Sequence, residues 1–257
     1  MATTLLIDKD LVRKRFASAI SYYDEEASPQ RMVSDRIAAL LEEKTEVPSG
    51  RIFEIGCGTG FLSRHLWEKF GDSHQLLFND LCPDMEAPLR EKVGDKAEFS
   101  AFDAETTDWQ EDFALIAAAS CIQWWQHPTS FYSKSYRHLT EGGILAFGTY
   151  GQDNLHQLKE VTGKGLNYDS AETVRHRLEL AGYDEIHVEE MRHTLYFPDF
   201  LSVLRHLKLT GVNAVSSSTT WTSAKISAAD AHYRDLTHTS DGTLPLTYHA
   251  IIGIARK

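Results

Sequence analysis

Three glycines at alternate positions, Gly56, Gly58 and Gly60, follow the apolar run Arg51-Ile52-Phe53-Glu54-Ile55, with Cys57 between the first two, and lead into a helix-like segment. A chain of this composition can turn sharply and bring its backbone against a ligand with no Cβ in the way, and the helix behind the turn begins with free N–H groups. The chemistry this offers is nucleoside binding. A dinucleotide fingerprint, Gly-x-Gly-x-x-Gly, would place its third glycine at Phe61, whereas here it falls one residue early, at Gly60. That spacing favours S-adenosylmethionine over a nicotinamide dinucleotide.

Further residues belong to the same ligand. Asp80-Leu81 lies about twenty residues beyond Gly60, where a carboxylate can accept both hydroxyls of an adenosine ribose. Asp103-Ala104 closes a third apolar run, from which a carboxylate can accept from the adenine amino group. Ser120-Cys121-Ile122-Gln123-Trp124 closes a fourth, beside the sulfonium. The order of these four strand ends along the chain describes one pocket.

The elements that must position them alternate. Strands are predicted at 51–55, 75–79, 97–102, 113–119 and 144–149, with helices at 62–70, 83–92 and 129–139 between them. Two helical patterns, 10–23 and 30–43, precede the first strand; a helix at 170–182, a long strand at 185–197 and a last strand at 248–255 follow. Such alternation implies an α/β fold with a doubly wound, mostly parallel seven-stranded sheet and ligands at the carboxyl ends of its strands. One domain is expected: a helical cap over 1–47, a sheet core over 48–198 and 246–257, and an insertion over 199–245. That insertion holds a helix at 199–209 and a Ser/Thr/Asn/Gly stretch at 210–222, predicting a mobile flap over the site.

Composition narrows the partners. A formal charge of −11 argues against general nucleic-acid binding, because a phosphate backbone would be repelled over most of the surface. With no basic-then-apolar start and no run of about eighteen apolar residues, neither secretion nor a membrane span is indicated, and the cytoplasm is the expected compartment. Cys57, Cys82 and Cys121 lack metal-ligand spacing, so no metal site is expected.

The glycine turn and its flanking carboxylates resemble those of class I methyltransferases, in which an acid at the position of Glu54 organises the loop around the methionine end of the cofactor. Three segments are similar to one family among them, the malonyl-acyl-carrier-protein O-methyltransferases of biotin synthesis. They are Val12 to Asp24 with Ala27 and Gln30; Ser120-Cys121-Ile122-Gln123-Trp124-Trp125; and Leu204 to Ala214, paired with Leu246-Thr247-Tyr248-His249. The second lacks the family's Asn and is one residue shorter between Ser120 and Gln123. The likeness covers essentially the whole chain. It implies methyl transfer to the free carboxylate of a malonyl thioester on acyl-carrier protein, or on coenzyme A, hiding a charge so that a pimeloyl precursor can be built. A methyltransferase for another small molecule would keep the same cofactor pocket and differ in the flap.

A malonyl carboxylate is already ionised at neutral pH, so the chemistry calls for alignment and exclusion of water rather than a general base. The carboxylate needs a cation, for which Lys208 and then Arg205 on the flap helix are the candidates. Tyr23, Gln123 and His249 are further donors in the family-like segments, with Tyr22 placed at the pocket or in the core and one of Trp124 and Trp125 assigned to the core. Arg13, Lys14 and Arg15 would form a basic patch guiding an acidic carrier protein to the pocket mouth.

Overall fold

The computed structural model describes residues 6–44, 46–212 and 220–257. Strand β4 (Phe113–Ala119) reads Phe-Ala-Leu-Ile-Ala-Ala-Ala and is buried along all but its last residue, as a parallel strand covered on both faces must be. Around it the sheet runs β3 (Glu98–Ala101), β2 (Gln75–Asp80), β1 (Arg51–Ile55), β4, β5 (Leu139–Tyr150), β7 (Leu244–Arg256), β6 (Asp184–Phe197). Strands β1 to β5 pair in parallel, and β7 lies antiparallel to both of its neighbours. The chain steps outward from β1 to β3, then returns to β4 and β5 on the other side. The crevice at the carboxyl ends of β1 and β4 is therefore the switch point where ligands bind in such sheets.

Alternating strand residues build two cores. On one face Ile52, Phe78, Leu115 and Ile144 meet Ile37, Leu40 and Leu41 of α2 (Ser28–Lys44) and Leu62 and Leu66 of α3 (Phe61–Phe70). On the other, Phe53, Ile116, Leu145 and Phe147 meet Phe131 and Tyr132 of α5 (Ser130–Arg137) and Val174 and Leu178 of α7 (Ala171–Ala181). Each large apolar side chain so buried contributes about 1.5–3 kcal/mol. Helix α1 (Lys9–Glu26) starts at the N-cap Asp8, whose carboxylate accepts from Leu11 N at 2.9 Å, and it lies over the carboxyl ends of the sheet.

The segment expected as one helix over 83–92 is a short 3-10 turn, Pro83–Met85, followed by α4 (Glu86–Val93). Two helices lack a strong periodic signal in the sequence: α6 (His156–Thr162), only seven residues long, and α9 (Ser223–Thr237), in which Tyr233 alone is fully buried. Strand β7 begins at Leu244, four residues before its expected start, because Leu244 and Leu246 are needed against the helices. Between β6 and β7, α8 (Phe200–Leu209) and α9 pack on each other, and Phe200, Val203 and Tyr233 join the core. Most of the polar stretch between them, 213–219, lies outside the described residues. No helix among the described residues is long and apolar enough to cross a membrane.

Candidate active site

The turn after β1 has positive φ at all three motif glycines, +66°, +53° and +94° in order. At Gly56 a side chain is also excluded by contact, since a Cβ there would lie 2.4 Å from that of Cys121. At Gly58 space is open and the backbone angle alone selects glycine. Asp80 at the end of β2 locks this turn. One carboxylate oxygen accepts from Gly58 N at 2.9 Å and the other from Cys82 N at 2.8 Å. Burial pushes the Asp80 carboxyl up from 3.8 to about 6, against the pull of these backbone N–H donors.

A cleft of about 100 Å³ opens here, with walls that include Gly56, Gly58, Thr59, Asp80, Leu81, Phe102, Asp103, Ala104 and Ser120. Helix α1 roofs it with Lys9, Val12, Phe16 and Tyr23. The roof is tied down at both ends. Lys9 Nζ lies 3.2 Å from Asp103 and 2.9 Å from Glu105. Asp24, near the other end of α1, accepts from Thr59 Oγ1 and from Lys92 Nζ, each at 2.6 Å. Beneath the floor of the adenine side, buried Lys134 donates to the carbonyls of Ala104, Glu105 and Thr107 at 2.8, 3.1 and 2.6 Å.

Ser120, between cleft and interior, has φ +56°, an unusual angle for a residue with a Cβ. Its carbonyl accepts from Gln123 Nε2 at 2.6 Å and its hydroxyl accepts from Tyr150 at 3.1 Å. Behind it lies a larger chamber of about 340 Å³, sharing Phe16, Tyr23, Ser120 and Trp124 with the cleft. Leu155, Leu158, Leu204, Leu207, Val212 and Trp221 supply apolar wall. Tyr248 also faces it. Its hydroxyl is hydrogen-bonded to His206 Nε2 at 2.8 Å, while His206 Nδ1 stands 3.5 Å from Glu26. Burial holds that imidazole below its ordinary 6.5 and pushes the Tyr23 hydroxyl well above the usual tyrosine range, so both stay neutral.

Most of the expected site residues converge. Gly56, Gly58, Asp80, Leu81, Asp103, Ala104 and Ser120 line the cleft; Tyr23 and Ser120 line both cavities; Gln123 and Lys208 line the chamber. Gly60 acts from behind as the residue preceding α3. Others do not converge. Cys57 packs into the core of the α2 and α3 face. Glu54 is buried beneath the turn, off the cleft wall, where desolvation pushes its carboxyl up to about 8 and leaves Oε2 without a hydrogen bond. Arg205 faces solvent, one helical step from the chamber-lining Leu204. His249 is buried away from the chamber, its Nε2 2.8 Å from Glu190 and its Nδ1 accepting from Asp153 N at 3.2 Å; strand alternation sends Tyr248 to the chamber in its place. Arg15, expected in the basic group at the pocket mouth, lines the chamber, and Tyr22, expected at the pocket or in the core, is 52% exposed. Lys9 and Thr59 had no sequence signal of their own, whereas Phe16 lies in the family-like N-terminal segment.

The residues fit an adenosyl group and not a dinucleotide. The Gly58 N–H that would cradle a diphosphate is given to Asp80, and Lys9, the one cation on the cleft wall among the described residues, is already paired with acids. Carboxylates at Asp80 and Asp103 suit ribose hydroxyls and an exocyclic amine. Among the described residues no His, Cys, Asp or Glu cluster is placed to hold a metal.

Fold and cleft together define a class I methyltransferase. A methyltransferase-domain signature matches residues 52–143. The YcgJ protein of Bacillus subtilis shares the fold with a TM-score of 0.62 at 13% identity, over 87% of this chain and 98% of that one. Haemonchus contortus phosphoethanolamine N-methyltransferase 2, solved with S-adenosyl-L-methionine, has a TM-score of 0.55 at 19% identity, over 87% of this chain and 52% of that one. In sequence, the malonyl-[acyl-carrier protein] O-methyltransferase of Bacteroides thetaiotaomicron is 36% identical over 98% of this chain and 99% of its own length. The Haemophilus influenzae enzyme of that name is 33% identical over 100% and 97%. The Bacteroides fragilis one is 37% identical over 97% of this chain, which spans only 50% of that relative. The chain belongs to the malonyl-[acyl-carrier protein] O-methyltransferase family.

Proposed function

We propose that this protein transfers the methyl group of S-adenosylmethionine to the free carboxylate of a malonyl thioester carried by acyl-carrier protein, the step that opens pimeloyl assembly for biotin. The observation that carries this reading is the shared wall of Phe16, Tyr23, Ser120 and Trp124, through which an acceptor in the chamber meets the cofactor cleft without crossing solvent. The apolar length of the chamber suits a thioester arm. Exposed Lys159, Lys164 and Lys208 on its outer wall suit the phosphate of that arm, whether on a carrier protein or in coenzyme A.

When bound, the cofactor supplies an electrophilic methyl on a positively charged sulfur. The malonyl carboxylate is ionised at neutral pH and needs no base. Its oxygen forms the new bond as the methyl–sulfur bond breaks, the sulfur keeping that electron pair. The protein's part is alignment and dryness: Tyr23 presents a hydroxyl at the junction, Gln123 lies beside it on the chamber wall, and α1 covers both. The test is transfer of labelled methyl to malonyl-carrier protein, malonyl-coenzyme A and acetyl-carrier protein. Base-stable transfer to acetyl-carrier protein, or none to either malonyl thioester, would overturn the reading.

A further inference from the structure

Four buried polar atoms on residues lining the chamber have no hydrogen-bond partner among the described residues: Arg15 Nε, Gln30 Oε1, Gln123 Oε1 and Trp124 Nε1. Gln30 and Trp124 are only 5% and 7% exposed. Buried polar groups left unpaired are costly, and four of them on residues that line one cavity point to a polar ligand there. The charge of the lining gives that ligand's sign. In a chain of net charge −11, the described lining of this chamber has one arginine, three lysines and no acid. The lysines are exposed, whereas Arg15 is partly sheltered and forms no ion pair or side-chain hydrogen bond among the described residues. Arg15 also neighbours Phe16, which belongs to the wall shared with the cofactor cleft.

We infer that Arg15 is the residue that recognises the acceptor's carboxylate, with Trp124 Nε1 and the carboxamide of Gln30 as its neutral partners. The inference rests on the malonyl reading above and replaces the flap-helix cations as the carboxylate's counter-ion. An amide can present its NH2 by a half-turn, so Gln30 can donate as readily as accept. A carboxylate offers about four lone-pair positions, enough to take these donors and keep one free on the oxygen that attacks. Transfer turns the anion into a neutral ester. Arg15 then loses its counter-charge, which favours release of product over rebinding of it.

The test uses the full-length protein as parent, Arg15→Met and Arg15→Lys. Steady-state methylation of malonyl-carrier protein is measured beside inhibition by two pantetheine thioesters, one ending in malonate and one in the neutral malonamide. Removing a charge-assisted contact should lower kcat/KM of Arg15→Met by about a hundredfold, chiefly through KM, and Arg15→Lys should restore part of it. In the parent the anionic inhibitor should bind much more tightly than its amide; in Arg15→Met that preference should collapse. S-adenosylhomocysteine affinity, which reports a folded cleft, should stay within about twofold. Arg15→Met keeping the anionic preference would overturn the inference while leaving the malonyl reading intact. A parent inactive on malonyl thioesters would remove both.

Discussion

Replacing Asp80 by Ala tests the cofactor cleft at its most constrained point. Its carboxylate already accepts from Gly58 N and Cys82 N, and each oxygen keeps a second lone pair for a ribose hydroxyl. Two hydrogen bonds to a charged acceptor are worth about 1.5–3 kcal/mol each, and water entering the vacated space recovers part, leaving a loss of about 2–4 kcal/mol. That is about 30- to 1000-fold in the Kd of S-adenosylhomocysteine, readable by titration calorimetry. The parent should show a matching pH dependence. Its carboxyl in the empty cleft titrates at about 6, so affinity should hold above that pH and fall by up to about tenfold per unit below it, while Asp80→Ala stays flat. Stability moves the other way. A carboxyl raised from 3.8 to about 6 binds its proton more tightly in the folded state, so it costs the ligand-free fold about 3 kcal/mol, a cost that develops as pH rises through that window. A folded Asp80→Ala variant that binds as tightly as the parent, or a parent whose affinity is unchanged from pH 5 to 7, would refute the reasoning.

Lys134→Met keeps the aliphatic stem but removes the donor shared by three carbonyls of the 104–107 loop. Unsatisfied buried carbonyls cost about 1–3 kcal/mol, so Tm should drop by about 3–10 °C and cofactor affinity should weaken; no change in either by thermal scan and calorimetry would remove this anchor. His206 is neutral in the fold, and its unfolded counterpart takes a proton below 6.5, so the stability it contributes is present above that pH and lost as pH falls. The stability gap between the parent and His206→Gln in urea should therefore narrow from pH 7.5 to pH 5, and an unchanged gap would count against the Glu26, His206 and Tyr248 arrangement.

What was legible in the sequence is what is local. The glycine turn, Asp80, Asp103 and Ser120 each sit at a strand end, and a parallel sheet brings strand ends together whatever its details. Residues whose role depends on phase were harder to place. Between Tyr248 and His249 only the alternation of β7 decides which meets the chamber, and between Lys208 and Arg205 only the rotation of α8, set by buried Val203 and Leu207, decides. Phase also divides the basic group: Arg13, Lys14 and Arg15 are adjacent in sequence, yet a turn of 100° per residue brings Arg15 to the chamber while Arg13 pairs outside with Asp10. Contacts distant along the chain left no local mark at all, as with Lys9 to Asp103 or Asp24 to Lys92.

Those distant contacts explain why a methyltransferase with an undemanding reaction has its N-terminal helix across both cavities. Phe16 and Tyr23 of α1 belong to the cleft and to the chamber alike, so one helix dries the place where sulfur, methyl and carboxylate must line up. The same helix covers the cofactor cleft. Glu105, the second partner of Lys9, is only 7% accessible, but the outer polar ties of the helix are partly exposed, with Lys9 and Asp103 side chains 25% and 23% accessible and Asp24 46%. Ion pairs of that exposure are worth about 0–1 kcal/mol each, so they set the position of the helix without locking it. A non-directional hold is added by apolar contact, Val12 and Phe16 against Trp124 and Leu81. Directional ties with a non-directional apolar seal hold the roof over both cavities in one register.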